Sequence, residues 1–262
     1  MSQLKHATAA FAEIAEEGTI LRTRVGSEVH GVSLTAQADR DEMGVCVEPP
    51  DHVIGLGSFE QYVFRTQPEG SRSGPGDLDL VVYSLRKWMR LALEGNPTVI
   101  LPLFVADSEV VRITRLGEEL RARPELVLSR EVAHRFLGYL SAQRLGLLGE
   151  RGARVNRPEL VERHGFDTKF AYHMVRVGLQ GVELLETGRI TLPVARPWRD
   201  RLLRLRRGEL DREFALEAAA ELEARLRELA TASPLPERPD RDRANRWLVR
   251  AYQSVWEEKG WL

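Results

Sequence analysis

Residues 24–47, RVGSEVHGVSLTAQADRDEMGVCV, place the pair Gly26-Ser27 eleven residues ahead of Asp39 and Asp41, two aspartates separated by one arginine. The span 39–48 reads as a strand that turns apolar at Met43, Val45 and Val47. Strand side chains alternate, so Asp39 and Asp41 leave by the same face. Two unpaired carboxylates this close repel, and a bound Mg²⁺ relieves the repulsion. A Gly-Ser turn ahead of them offers open N–H groups and a hydroxyl, which suits an anion.

A third acid follows. DLDLVVYSL (77–85) sets Leu78, Leu80 and Val82 on one strand face and Asp77, Asp79, Val81 and Tyr83 on the other. Asp79 is expected to complete the cluster, with Asp77 sharing its face but adjoining the loop TQPEGSRSGPG (66–76). Three carboxylates holding two metals would serve phosphoryl or nucleotidyl transfer, in which an attacking oxygen is activated and a leaving pyrophosphate is stabilised.

Gly-Ser, a gap of about ten residues, Asp-x-Asp and a further Asp together resemble the active site of the DNA polymerase β-like nucleotidyltransferase superfamily. ADRDEMGV and DLVVYSLRKWMRLALEGNPTV are similar to a bacterial and phage branch associated with RNA repair, as are GYLSAQ (138–143) and FDTKFAYHMVRVGLQGVELLETGRITLP (166–193). The resemblance implies an α+β fold: a small nucleotidyltransferase domain with a mixed sheet (1–104), then a mostly helical domain (105–262) that grips the nucleotide. It assigns catalysis and metal binding to Asp39, Asp41 and Asp79. Gly26, Ser27, Lys169, His173 and Arg176 take the nucleotide, with two Mg²⁺ ions as cofactors and an NTP as substrate. Arg40 and Glu42 stand where that superfamily has apolar residues, which predicts an edge strand or one that begins late. A second pair, Gly57-Ser58, precedes Asp77 and Asp79, but its 18-residue gap is long and leaves no strand for a third acid.

The same organisation emerges from periodicity. A helical stretch at 3–17 and a strand at 19–25 precede the acidic strands, and a helix follows Ser84 to Gly95 and Pro97. Beyond about Val105 strand signals are scarce, and helices are expected near 128–148, 167–187, 197–206, 209–231 and 241–258.

Composition excludes other classes. With 38 basic against 39 acidic residues, nucleic-acid contact needs a local patch, and the basic residues between 121 and 163 are the candidates. The single cysteine, Cys46, rules out an internal disulfide framework and is expected in the core. No apolar run reaches membrane-span length and no signal-peptide pattern opens the chain, so a cytoplasmic protein is expected.

Lys169, His173, Arg176, Gln180 and Glu183 form one polar stripe at helical spacing. Such a stripe is ordinarily a solvated face. Lys169 argues for phosphate contact because only four of the 38 basic residues are lysine. His30 reads as an exposed loop histidine, Tyr172 as core, and Lys87 either as a counter-charge to the acids or as cover for the sheet edge. The helix at 209–231 reads as a solvated or partner-facing amphipathic helix.

The function expected is NMP transfer from an NTP to a hydroxyl, an RNA or tRNA 3′ end being the favoured acceptor. The alternatives are AMP transfer to a partner protein of toxin–antitoxin type, and a non-catalytic nucleotide-sensing or RNA-binding module.

Overall fold

The computed structural model describes residues 6–34, 39–68, 71, 73–74, 76–150 and 157–261. Five strands, β1 (Thr19–Arg24), β2 (Arg40–Cys46), β3 (Gln61–Arg65), β4 (Leu78–Ser84) and β5 (Val110–Ile113), form one sheet in the order β3-β4-β2-β1-β5. β2 and β4 run parallel, and the other neighbours pair antiparallel. The sheet is therefore mixed, and with the helices that follow it the fold is α+β.

β2 is central, not an edge, although it begins only at Arg40. The charge that argued for an edge is met inside the sheet. Glu42 is buried, and Arg22 Nε on β1 donates to its Oε2 at 2.5 Å. β3 and β5 are short edge strands without a clear alternation in the sequence, and β5 carries the sheet beyond residue 104.

Alternation divides the sheet into two faces. Cys46, Leu80 and Val82 pack with Phe59 beneath α1 (Ala9–Gly18), which supplies Ile14 and Ala15. Leu21, Val45 and Val47 belong to the larger core, which continues through α2 (Leu85–Leu93) into the helical part. Within that part lie α3 (Arg115–Arg121), α4 (Val132–Leu147), α5 (Pro158–His164), α6 (Thr168–Thr187), α7 (Trp198–Arg206), α8 (Arg212–Ala232) and α9 (Arg241–Lys259).

α6 is the central helix, packed against α4, α7 and α8. Its small residues permit close approach: a Cβ at Gly181 would lie 2.6 Å from the Phe136 ring and 2.9 Å from Leu226. α8 accordingly buries Ala215, Ala219 and Leu226 and is solvated only on its outer side. α9 closes on the end of β2, where Tyr252 Oη donates to Glu48 Oε2 at 2.7 Å and Trp256 Nε1 donates to the Glu48 carbonyl at 2.9 Å. Among the described residues no helix is long and apolar enough to cross a membrane.

Candidate active site

The sheet presents its acids where β2 and β4 begin. Asp41 and Asp79 are register partners on these parallel strands, and Asp39 immediately precedes β2. All three line one cavity of about 610 Å³. Across it stand Lys169 and Arg176 of α6, Arg206 of α7 and Arg157, which precedes α5.

Gly26 is required by its proximity to Asp41. Val25 N donates to the Asp41 carbonyl at 2.9 Å, and a Cβ on Gly26 would sit 2.6 Å from Asp41 Oδ2. The turn that follows is closed by Val32 N donating to the Ser27 carbonyl at 3.1 Å and is held from outside by Arg206, whose Nη1 donates to the Val32 carbonyl. Gly26 and Ser27 both line the cavity.

The two paired acids differ electrostatically. Burial, then the charges of Asp39 and Asp79, push the Asp41 carboxyl up to about 6, against a smaller opposing pull from Lys169. Burial would also raise Asp79, but its hydrogen bonds outweigh that and hold it below its ordinary value. Ser73 Oγ donates to its Oδ2 at 2.5 Å, while Arg65 Nε and Gln67 Nε2 donate to its Oδ1 at 2.7 and 2.9 Å. Asp77 is spent on the loop, accepting from Gly74 N and Thr66 Oγ1 at 2.8 Å each, and does not line the cavity.

The cationic wall is built from the start of α6. Asp167 caps that helix, accepting from Lys169 N and Phe170 N, and also accepts from Arg157 Nη1 at 3.0 Å. One buried carboxylate thus fixes both Arg157 and the first turn carrying Lys169. Enclosure, then the charge of Arg157, lowers the Lys169 ammonium, against the pull of Asp39 and Asp41. Arg176 donates to His30 Nε2 at 3.0 Å, to Gln180 Oε1 at 2.8 Å and to His173 Nδ1 at 3.1 Å. Burial first, and the Arg176 charge second, hold both histidines well below the usual imidazole range, so they are neutral.

With this geometry in place, the match to a known family is decisive: residues 3–250 match the RNA repair pathway DNA polymerase beta family, RlaP. The chain belongs to that family. It is a nucleotidyltransferase, as its family is. A solved nucleotidyltransferase-like protein from Exiguobacterium sibiricum 255-15 aligns at 12% identity over 96% of this chain and 80% of its own, with a TM-score of 0.30. No curated protein matches.

Against the sequence reading, this family member brings Asp39, Asp41, Asp79, Gly26, Ser27, Lys169, His173 and Arg176 to one cavity. The polar stripe is not an ordinary solvated face: Lys169, His173 and Arg176 line the cavity, Lys169 at its exposed end and the other two half-buried, Gln180 is buried, and Glu183 accepts from Thr191 N at 3.0 Å. His30 is buried, not exposed, because α6 covers it. Tyr172 is core, with the Arg176 and Arg206 guanidinium groups 5.7 and 5.1 Å from its ring centroid. Lys87 lies away from the acids, donating to Gln61 Oε1 at 3.0 Å.

The basic residues between 121 and 163 are largely committed to the fold. Arg121 pairs with Asp107, Arg123 with Glu119 and Arg135 with Glu94, and Arg130 donates to the Thr231 and Leu235 carbonyls. Among the described basic residues of this stretch only Arg157 lines the cavity; 151–156 lie outside the described residues. Sequence reasoning also missed Arg206, Tyr139, Gln143 and Phe170. GYLSAQ carried the signal for two of these, since Tyr139 and Gln143 fall one helical turn apart.

Proposed function

We propose that this RNA repair family nucleotidyltransferase moves an NMP from an NTP onto a hydroxyl, the 3′ end of an RNA or tRNA, with residues 1–104 supplying the acids and 105–262 the nucleotide grip. The observation that carries it is the opposition, across one cavity, of Asp39, Asp41 and Asp79 to Arg157, Lys169, Arg176 and Arg206. A triphosphate bound with divalent metal needs that opposition of charge.

The acids fit Mg²⁺ by their chemistry. Asp41 is raised by burial and by two neighbouring carboxylates, so it lacks positive charge that a divalent cation would provide. Among the described residues no three His, Cys, Asp or Glu side chains already converge as a ligand shell, and Asp79 faces Arg65. In this reading Asp39, Asp41 and Asp79 would hold two Mg²⁺ ions, which supply charge neutralisation at the reacting and leaving phosphates.

The protein's own groups do the rest. Lys169 and Arg176, with the Ser27 hydroxyl and the turn N–H groups, hold the triphosphate. Neutral His30 and His173 steady Arg176 without adding charge. The acceptor oxygen bonds to the α-phosphorus, the bond to the β-phosphate's bridging oxygen breaks, and pyrophosphate leaves along the cationic wall. Asp79, kept ionised, takes the hydroxyl proton.

The test is to incubate purified protein with Mg²⁺, each α-labelled NTP and either total RNA or protein lysate. Label in RNA supports the proposal. Label confined to protein would replace the acceptor, and label in neither would overturn transfer.

A further inference from the structure

We propose that Tyr139, Gln143 and Phe170 form a nucleobase subsite and that Gln143 selects adenine; this rests on the reading above that the cavity takes an NTP. Tyr139 and Gln143 sit four residues apart on α4, so they share a helix face, and both line the cavity. Phe170 closes on the same face. Its ring packs against Gly146, three residues after Gln143, so tightly that a Cβ there would lie 2.6 Å away. Thr98 and Leu101, from the segment after α2, also line the cavity.

This group differs chemically from the rest of the lining. The acids sit on the sheet, and Lys169, Arg176 and Arg206 answer them. Arg157 lies 5.3 Å from the Phe170 ring centroid, but its charge is met by Asp167. Aromatic and aliphatic surface remains, with one neutral amide and the hydroxyls of Thr98 and Tyr139. Gln143 is half-buried, and its amide has no hydrogen-bond partner among the described residues. A partly enclosed amide gains most from a ligand that offers a matched donor and acceptor.

Adenine offers that match. Its 6-amino donor lies beside a ring-nitrogen acceptor, and one Gln amide meets both. Guanine presents two acceptors on its Hoogsteen edge. On its Watson–Crick edge the 2-amino group needs an acceptor besides the Gln143 carbonyl; the carboxylates lining the cavity, Asp39, Asp41, Glu42 and Asp79, all belong to the sheet side, which leaves that amino group a neutral hydroxyl of Thr98 or Tyr139 at best. A base left with an unpaired donor is rejected more strongly than one that merely underfills a pocket. Pyrimidines lose the area of a second ring against Tyr139 and Phe170.

The experiment is equilibrium binding of the four NTPs with Mg²⁺ to the full chain, comparing wild type with Gln143→Met and Gln143→Ala and using inorganic tripolyphosphate as control. Gln143→Met keeps the bulk and removes the amide. The expected result is tightest binding of ATP by wild type, a loss of about tenfold for ATP in both variants, and unchanged tripolyphosphate binding. Equal binding of all four NTPs by wild type, or an unchanged ATP-to-GTP ratio in both variants, overturns the assignment while leaving the triphosphate site standing. Failure of wild type to bind any NTP or tripolyphosphate overturns the nucleotide reading and this inference with it.

Discussion

Asp41 and Asp79 are register partners on adjacent parallel strands, so their side chains leave the same face of the sheet, yet burial and neighbouring acids raise one while hydrogen-bond donors lower the other. The raised member adjoins Gly26 and Asp39. The lowered one is tied to Arg65, Gln67 and Ser73. A carboxylate held above its ordinary range thus sits beside one held below it on the same face of the sheet.

The raised acid has a stability consequence. Without metal, Asp41 contributes stability below its unfolded value of 3.8, and that contribution is lost as pH rises through about 6. In EDTA, Asp41→Asn is therefore expected to raise the melting temperature at pH 7.5, by a gain of about 1–2 kcal/mol after allowing for solvent screening. The gain should vanish near pH 4 and shrink for wild type in Mg²⁺. Thermal denaturation across pH, with and without Mg²⁺, measures it.

The third acid gives a ranking. Asp79 lines the cavity, whereas Asp77 fastens the loop through Gly74 and Thr66. Asp79→Ala should eliminate NMP transfer while NTP binding persists, and Asp77→Ala should lose at most about tenfold, on the order of one charged hydrogen bond. Single-turnover rates of both variants decide this, and the reverse ranking would show the acid to be misassigned by two residues.

Gly26→Ala separates activity from stability. The added Cβ meets Asp41 Oδ2 at 2.6 Å, which can swing away, and Asp41 Cβ at 3.1 Å, which needs only a small shift, so the melting temperature should fall modestly. The displaced carboxylate should lower kcat by roughly a hundredfold, the scale of an ångström-sized misplacement. Full activity in this variant would mean that the position of Asp41 does not matter to the reaction.

Lys169→Ala and Arg176→Ala should each raise the KM for NTP roughly tenfold to a hundredfold, equivalent to about 1.5–3 kcal/mol for a charged contact to phosphate. The two should differ in stability. Arg176 also bonds His30, His173 and Gln180, so its removal should lower the melting temperature, whereas among the described residues the Lys169 side chain makes no hydrogen bond. Unchanged NTP affinity in both would return this helix face to a structural role.

The long helices were legible because their apolar period is local: the stretches expected near 167–187 and 241–258 correspond to α6 and α9. β3 and β5 were not, being five and four residues long and defined by their partners. The acids were legible through short spacing on two strands. Arg157 and Arg206 were hidden among many arginines, and only packing selects them for the cavity. His30 and Glu42 misled for one reason, since tertiary partners, Gln180 with Arg176 and Arg22, bury polar groups that look exposed in the sequence.

The central claim is that Asp39 and Asp41 form the catalytic centre of NMP transfer, and the most direct measurement is transfer of α-labelled NMP to RNA by wild type and by the Asp39→Asn, Asp41→Asn double variant at saturating Mg²⁺. Loss of essentially all transfer is predicted, with the far-ultraviolet circular dichroism spectrum and cooperative melting retained, because removing the metal ligands removes most of the charge stabilisation of the transition state. A folded double variant that transfers label at the wild-type rate would contradict the account.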